Sequence, residues 1–457
     1  MPELVWKGKS GASGVALRPH HRLRTDEIHG ELAELPGDSF ADDTPSPRGR
    51  LVHGDAEDVL PALLPELRGR VALVYLDPPF DTGGSFDYLV RVPGSADDAP
   101  RVAVPAYRDA RGLDAWLSWF HGIAQHLRDL LAPGGSLYVH LDAHAAHYAK
   151  VLLDEVFGAD AFQREIVWRI GWVSGFKSRA RAWVRNHDTI LFYAKGGRPS
   201  TFHKEYVPYP AGYARRDGTP PKGQGYPIDD VWNGSEIDRL DSIQIVSFSG
   251  EKVGYPTQKN EALLSRIVRA SSNPGDVVLD CCAGSGTTAV VASKLGRCWV
   301  ACDASPVAVH AARKRLLSSP ETPSFLVQSA RPETSPAARE GKVGVRASWD
   351  GARATIELTS FQPARRRGQV DHWSQWIDAW CVDWEHADGA LRASTYVRRS
   401  RAGELLLEAA HDYDGAVPRE ARVKIFDVLG GTAVRAVAWE KERGAKDAPR
   451  RRRPPDP

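Results

Sequence analysis

Residues 274–303 read "PGDVVLDCCAGSGTTAVVASKLGRCWVACD". A short apolar run ends on Asp280, glycines stand at 284 and 286, a helix-forming stretch follows, and a second apolar run ends on Asp303. Strand, glycine turn, helix and strand in that order predict an α/β unit with neighbouring parallel strands. Glycines let the backbone approach a ligand closely, and a carboxylate at the end of the following strand suits ribose hydroxyls. Gly284-x-Gly286-x-x-Ala289 formally satisfies the dinucleotide fingerprint, which by itself would favour a dehydrogenase. No Lys-Ser/Thr pair follows the glycines, so a P-loop is disfavoured. Asp280 precedes the glycines, where it suits a cationic or amine-bearing ligand better than a pyrophosphate, and that argues against NAD.

The same alternation extends over most of residues 50–320. A strand at 50–53, a helix at 56–67 and a buried strand at 71–76 come first. A helix at 113–131 stops at "APGG", where Pro and Gly cannot continue it. The strand "SLYVHLD" (136–142), the helix "AHYAKVLLDEVFG" (146–158) and the strand-like runs "REIVWRI" and "DTILFYAK" follow. This pattern predicts a largely parallel sheet covered by helices on both faces. Residues 199–250, dense in Gly, Pro, Tyr and Asp, interrupt it as an insertion with little regular structure. Residues 1–49 are polar and without sustained periodicity, and read as an N-terminal arm. Residues 321–343 form a Ser/Pro/Glu-rich linker. Short strand-like runs divided by Asp/Gly turns predict a small all-β, sandwich-like domain over 344–442, and 443–457 is a basic tail.

A second stretch carries chemistry: "VALVYLDPPF", residues 71–80. Two prolines in a row stop a strand, because neither donates a ladder hydrogen bond and the residue before each is conformationally restricted. The result is a carboxylate (Asp77) and a ring (Phe80) held on a rigid corner by Pro78 and Pro79.

A chain of 457 residues with 42% hydrophobic and 26% charged residues predicts two or three globular domains. It has no apolar run long enough to cross a bilayer, and "MPELVWKGKSG" lacks the apolar core of a signal peptide. The spacing of Cys281, Cys282, Cys298, Cys302 and Cys381 fits neither a disulfide framework nor a paired zinc site, so reduced thiols in a cytoplasmic protein are expected. His140, His144 and His147 near Asp142 are read as surface and capping histidines after a strand, and no metal site is predicted. Net charge is only +2, so any nucleic-acid binding has to come from local patches. Residues 164–204 supply one, with nine Lys/Arg against two acids.

"DPPF" (77–80) followed much later by "DCCAGSGTT" (280–288) resembles the amino-methyltransferases of DNA, which use S-adenosylmethionine. With the corner before the glycine turn and an insertion between, the order is similar to the beta group, which includes type III modification subunits and orphan adenine methyltransferases. "HGDAEDVL" (53–60), "LAPGGSLYVHLD" and "VGYPTQKNEALLSRIVRASSNPGD" (253–276) match other segments of that group. The chain departs from it at Cys281 and Cys282, where Pro and a bulky aromatic are usual, and at Asn260, where Pro is usual.

The resemblance implies a circularly permuted, Rossmann-like methyltransferase fold, doubly wound and mostly parallel, with an inserted recognition region at about 199–250. It implies that Asp77 and the Pro78 carbonyl accept the two hydrogens of a base amine, that Phe80 stacks on the base, and that Pro78 and Pro79 fix the corner. It also implies an S-adenosylmethionine site. Asp280, Ala283, Gly284 and Gly286 would line the methionine and ribose portions, with Thr287 and Thr288 at the helix N-terminus and Asp303 on the ribose. Asp55 would lie near the adenine ring, and Thr257, Gln258 and Lys259 near the methionine carboxylate. Turn or cap duty is the other reading of Asp55 and Asp303.

"WRIGWVSGFKSRARAWVRNHD" interleaves aromatics with cations and is read as a DNA-facing loop, with Lys177, Arg179, Arg181 and Arg185 on phosphates or bases. A solvated basic helix with core tryptophans is its alternative. The expected partner is double-stranded DNA, with a homodimer and a cognate restriction endonuclease as further partners of such enzymes, in a bacterial or archaeal cytoplasm. Asp at the head of "DPPF" favours adenine N6 over cytosine N4, where Ser is commoner. A catalytically silent DNA-binding protein and an NAD-dependent oxidoreductase are the rival readings from other classes.

Overall fold

The computed structural model describes residues 3–9, 22–30, 48–81, 83–91, 101–170, 181–233, 251, 253–322, 324–330, 340–365, 370–385, 389–400, 403–414 and 418–441. The chain divides into two compact units, Met1–Val90 with Ala103–Pro336, and Arg91–Val102 with Ala337–Pro457.

In the first unit the elements are β1 (Arg24–His29), β2 (Gly49–His53), α1 (Ala56–Leu67), β3 (Val71–Leu76), β4 (Gly84–Arg91), β5 (Arg101–Asp109), α2 (Leu113–Leu130), β6 (Leu131–Leu141), α3 (Ala146–Phe157), β7 (Phe162–Arg169) and β8 (His187–Ala194). Then come β9 (Tyr206–Val207), β10 (Tyr226–Pro227), β11 (Val231–Trp232), α4 (Glu261–Ser271), β12 (Val277–Asp280), α5 (Thr287–Lys294), β13 (Cys298–Asp303), α6 (Pro306–Leu316) and β14 (Phe325–Ser329). The main sheet runs β11-β7-β8-β6-β3-β12-β13-β2-β14-β1.

Its centre is parallel, from β6 through β3, β12, β13 and β2 to β14. Side chains of a strand alternate between faces, and here both faces are covered, so the strands read as continuous apolar runs. Val71, Val74 and Leu76 of β3 enter the core shared with α1, α2 and α3, whereas Leu73 and Tyr75 enter the core shared with α4, α5 and α6. Helix starts follow local chemistry. Asp55 Oδ1 accepts from Glu57 N (3.0 Å) at α1, and Ser305 caps α6 with Pro306 at its start. Asn260, standing where the group it resembles usually has Pro, accepts from Leu263 N (2.9 Å) and caps α4, so the departure keeps a helix start.

The flanks differ from a purely parallel sheet. β8 runs antiparallel to both β6 and β7, and β1 antiparallel to β14. The N-terminal arm read over 1–49 contains a strand, β1. Glu27 of that strand is buried and accepts from Arg313 Nη2 of α6 (3.1 Å), and His29 Nε2 lies 2.9 Å from Glu27 Oε2, so buried ion pairing rather than an apolar pattern seats the strand. The insertion contains the short β9–β10 pair and β11, which joins β7 in parallel; residues 234–250 lie outside the described ones.

The second unit holds two four-stranded sheets. One contains Lys342–Trp349, Arg353–Gln362, Glu408–Asp412 and Glu440–Lys441; the other contains Ile377–Asp383, Thr395–Arg398, Glu420–Asp427 and Thr432–Ala438. Trp380, Val382, Ile356, Leu358, Val423 and Ile425 are all buried within it. The expected tail, 443–457, and part of the expected linker, 331–339, lie outside the described residues. No described helix is long and apolar enough to cross a membrane.

Candidate active site

β3 and β12 are adjacent and parallel, with Val278 opposite Leu73 and Leu279 opposite Val74. Their carboxyl ends therefore emerge side by side, one carrying Asp77 and the other Asp280. From β3 the chain passes through α2 to β6 on one flank; from β12 it passes through α5 to β13 on the other. Such a divergence opens a crevice at the carboxyl ends of the strands, the usual ligand position in a doubly wound sheet.

The corner after β3 is fixed from several sides. Trp116 Nε1 of α2 donates to the Pro79 carbonyl (2.6 Å). Asp81 has a φ of +58°, and its Oδ1 accepts from Arg111 N (2.8 Å) and Gly112 N (2.9 Å), which turns the chain away after Phe80. The Phe80 ring lies 6.2 Å from the His140 ring. His140 is fully buried: Nδ1 is 2.8 Å from the Tyr75 hydroxyl and Nε2 is 3.3 Å from Asp188 Oδ2. His140 thus differs from the expected surface histidine, because its strand is covered on both faces. His144 does sit at the cap, with its backbone N–H donating to Asp142 Oδ1 (2.9 Å).

Across the crevice, the glycine turn is built around two carboxylates. Asp280 is buried and accepts from Cys282 N (3.0 Å) and from the Thr288 hydroxyl (2.5 Å). Burial, against the pull of those two donors, pushes its carboxyl up to about 7, and the nearby charges of Asp77 and Asp303 act in the same direction. Asp303 accepts from Gly284 N and Ser305 N (2.8 Å each); desolvation and the Asp55 carboxylate push it up to about 6. Ala283 is buried, and its N–H donates to the Cys302 carbonyl (3.0 Å). Both carboxylates of the turn thus resist ionisation.

Gly286 has a φ of +75°, and a Cβ there would stand 2.8 Å from Ala312 Cβ of α6. Gly286→Ala is therefore expected to destabilise the fold by about 1–3 kcal/mol through strain at a left-handed position. Thermal melting of the variant beside the parent protein measures this.

The "TQK" segment packs against both constellations. Thr257 holds a φ of +60°, unusual for a β-branched residue, with its hydroxyl donating to the Pro256 carbonyl (2.6 Å). Gln258 is used internally: Oε1 accepts from Val253 N (3.0 Å) and Nε2 donates to the Glu251 carbonyl (2.8 Å). The sequence expectation gave Lys259 to the cofactor, but the structure pairs its ammonium with Asp77 Oδ2, above the Phe80 ring at 5.7 Å. The Lys259 carbonyl accepts from Thr287 Oγ1 (3.0 Å), which also accepts from Arg315 Nη1 (2.7 Å). The hydroxyls of Thr287 and Thr288 are thus bonded within the protein and serve the turn from beneath. Asp55 does cap α1, and its charge reaches Asp303.

Cys281 is buried in the core on the α1–α3 side with Cys302, whose Sγ is 3.6 Å from the Cys281 carbonyl; Cys282 is partly buried against that core. Burial, then the neighbouring Cys282 thiol and the Asp303 and Asp280 carboxylates, push the Cys302 thiol up, so it is neutral packing. Among the described residues no His/Cys/Asp/Glu group is arranged to hold a metal.

Of the basic loop, Lys177 and Arg179 lie outside the described residues, and Arg181 is exposed. Arg185 turns two donors inward, Nη1 to Asp142 Oδ2 (2.9 Å) and Nη2 to Asp188 Oδ1. With His140, these carboxylates make a chain from Arg185 to Phe80. The sequence reading passed over Trp116, Tyr75, Asp188 and Tyr255, the last lying 3.3 Å from where a Gly284 Cβ would be. Their signal was an aromatic or acid near a strand end, which is common to any α/β core.

A family model described as DNA methylase (N6_N4_Mtase) matches residues 71–314, from the corner strand through the glycine turn. The type II methyltransferase M.EcaI of Enterobacter cloacae is 29% identical over 309 residues, 54% of this chain and 64% of that enzyme. The DNA adenine methyltransferase YhdJ of Escherichia coli K12 is 26% identical over 275 residues, 58% of this chain and 82% of that protein. The crystal structure of the M1.HpyAVI–SAM complex aligns with a TM-score of 0.38 and 20% identity, covering 59% of this chain and 98% of that one. The model match spans more than half of the chain and takes in both constellations of the crevice: this chain belongs to the N6/N4 DNA methylase family.

Proposed function

We propose that this protein transfers a methyl group from S-adenosylmethionine to the exocyclic N6 amine of a flipped-out adenine in double-stranded DNA. The observation that carries the reading is the adjacency of β3 and β12, which brings the "DPPF" corner and the glycine turn to one end of the sheet. The motif order, corner before glycine turn, fits a circularly permuted form of the cofactor-binding fold.

When bound, S-adenosylmethionine supplies a methyl group on a positively charged sulfur. The residues present suit it: Asp280 for the ammonium, Gly284 and Gly286 for close approach, Asp303 for the ribose, and Asp55 beside it. A base amine is a poor nucleophile because its lone pair is delocalised into the ring. Asp77 and the Pro78 carbonyl accept its two hydrogens and turn the lone pair toward the methyl group, while Phe80 stacks on the base. The transfer would exchange a sulfur–carbon bond for a nitrogen–carbon bond, and Asp77, hydrogen-bonded to the amine, would be placed to take the proton it gives up. Lys259 has to leave Asp77 for the base to enter. Taking the base out of the duplex costs roughly a few kcal/mol, which contacts from the basic loop offset.

Adenine is favoured by Asp77 at the motif's head and by the likeness to an adenine methyltransferase. Nucleoside analysis of DNA incubated with protein and S-adenosylmethionine tests this. N6-methyladenine is expected; N4-methylcytosine alone would overturn the choice of base, and no methylated nucleoside would overturn the activity.

A further inference from the structure

Among the described residues one tryptophan stands entirely in solvent: Trp183, at 101% relative exposure, whereas Trp116, Trp168, Trp299, Trp380 and Trp384 are fully buried. It has no ring partner among the described residues. Removing an indole from water is among the most favourable burials a side chain can make, so a fully exposed one is suited to a surface that arrives later.

Its position identifies that surface. Residues 181–186 lead straight into β8, which is antiparallel to β6, with Thr189 opposite Leu141. β6 is parallel to β3, so the start of β8 lies at the same end of the sheet as Asp77. Two residues beyond Trp183, Arg185 is anchored to Asp142 and Asp188, and Asp188 bonds His140, whose ring faces Phe80. Two residues of extended chain span about 7 Å, so the indole is tethered to Arg185 at the end of the sheet that carries the corner. Exposed arginines stand along the chain and on the neighbouring strand: Arg181 lies two residues before Trp183, and Arg169 of β7 pairs in register with His187 at the start of β8. An unpartnered flat ring among arginines matches one class of partner, stacked bases flanked by phosphates.

We propose that Trp183 is the wedge that enters the DNA duplex where the target base has left, stacking on the neighbouring base pairs while Arg181 meets a flanking phosphate. This rests on the methyl-transfer reading. The wedge fills the gap, so the base does not fall back before the corner receives it.

The test uses the full chain and a duplex carrying the methylated site, located by modified-base sequencing of DNA from expressing cells. Single-turnover transfer is compared on the paired duplex and on the same duplex with an abasic position opposite the target, where the base is already unpaired. Trp183→Ala is expected to slow transfer to the paired duplex by about 10- to 100-fold, from the usual worth of one base–aromatic stack. On the abasic duplex the loss should shrink to within about threefold, and Trp183→Phe should recover most of the rate. The variant's thermal stability should match the parent's, because the side chain is fully exposed. Equal rates for Trp183→Ala and the parent on paired DNA would overturn the wedge, as would the same loss on both duplexes. Failure of the parent protein to methylate any DNA would instead sink the underlying activity, and the wedge with it.

Discussion

Asp77→Ala is expected to abolish methyl transfer while leaving the affinity for S-adenosylmethionine within about threefold of the parent. The carboxylate stands just past the end of β3, immediately before two prolines, so its position is set before substrate arrives, and a preorganised polar group of this kind is typically worth about 10²–10³ in rate. The residues proposed for the cofactor, Asp280 at the end of β12, Asp303 at the end of β13 and Asp55 after β2, make none of their hydrogen bonds to it. The substitution has a side effect at Lys259, whose largely buried ammonium loses its carboxylate and would be left unpaired. The double variant Asp77→Ala/Lys259→Met removes both charges and separates the effects: it should melt like the parent and still fail to transfer. Asp77→Asn, which keeps shape and loses charge, should also be strongly impaired. Labelled-methyl transfer to DNA and equilibrium cofactor titration give the two readouts. Retained transfer in Asp77→Ala would reject the assignment of the corner.

The second large effect is on pH. Asp280 titrates at about 7 in the ligand-free protein, chiefly because burial disfavours its charge. A ligand ammonium binds the ionised form, so cofactor affinity should rise with pH, level off above about 7, and be roughly tenfold weaker one unit below it. The fold itself should respond in the opposite sense. Between the ordinary carboxylate value near 4 and about 7, the folded chain keeps a proton that the unfolded chain has released. Stability of the ligand-free protein therefore declines as pH rises through that window and is flat above it, with Asp303 adding the same trend up to about 6. Asp280→Asn should erase most of the pH dependence of binding and leave affinity at alkaline pH well below the parent's. Calorimetric titrations from pH 5.5 to 8.5 would show it; an unchanged pH profile in Asp280→Asn would remove Asp280 from the ammonium site.

What was legible in the sequence was local. Strand, glycine turn and strand over 274–303 announce themselves because hydrophobic runs, glycines and acids fall within thirty residues. "DPPF" does the same through the stiffness of proline. The missed features depend on partners far away in sequence. β1 reads as polar because Glu27 is satisfied by Arg313 of α6 and His29 by Glu27, and no pattern within residues 1–49 reveals Arg313. His140 reads as a surface residue until β8 supplies Asp188 and β3 supplies Tyr75. Arg185 reads as a free cation, and only the folded chain shows its donors turned toward Asp142 and Asp188. Lys259 was expected near a methionine carboxylate, and only the folded chain shows its ammonium paired with Asp77.

The seating of β12 between β3 and β13 has a consequence for how the protein is made. β3 leaves the ribosome about 200 residues before its neighbour. Until residues 277–303 emerge, the nascent chain carries an apolar strand with one unpaired edge, ending at the "DPPF" corner. Long-range parallel pairing of this sort folds slowly and leaves edges open to aggregation. The crevice closes only once residues 277–303 have emerged, so a chain terminated before them has the corner without the glycine turn.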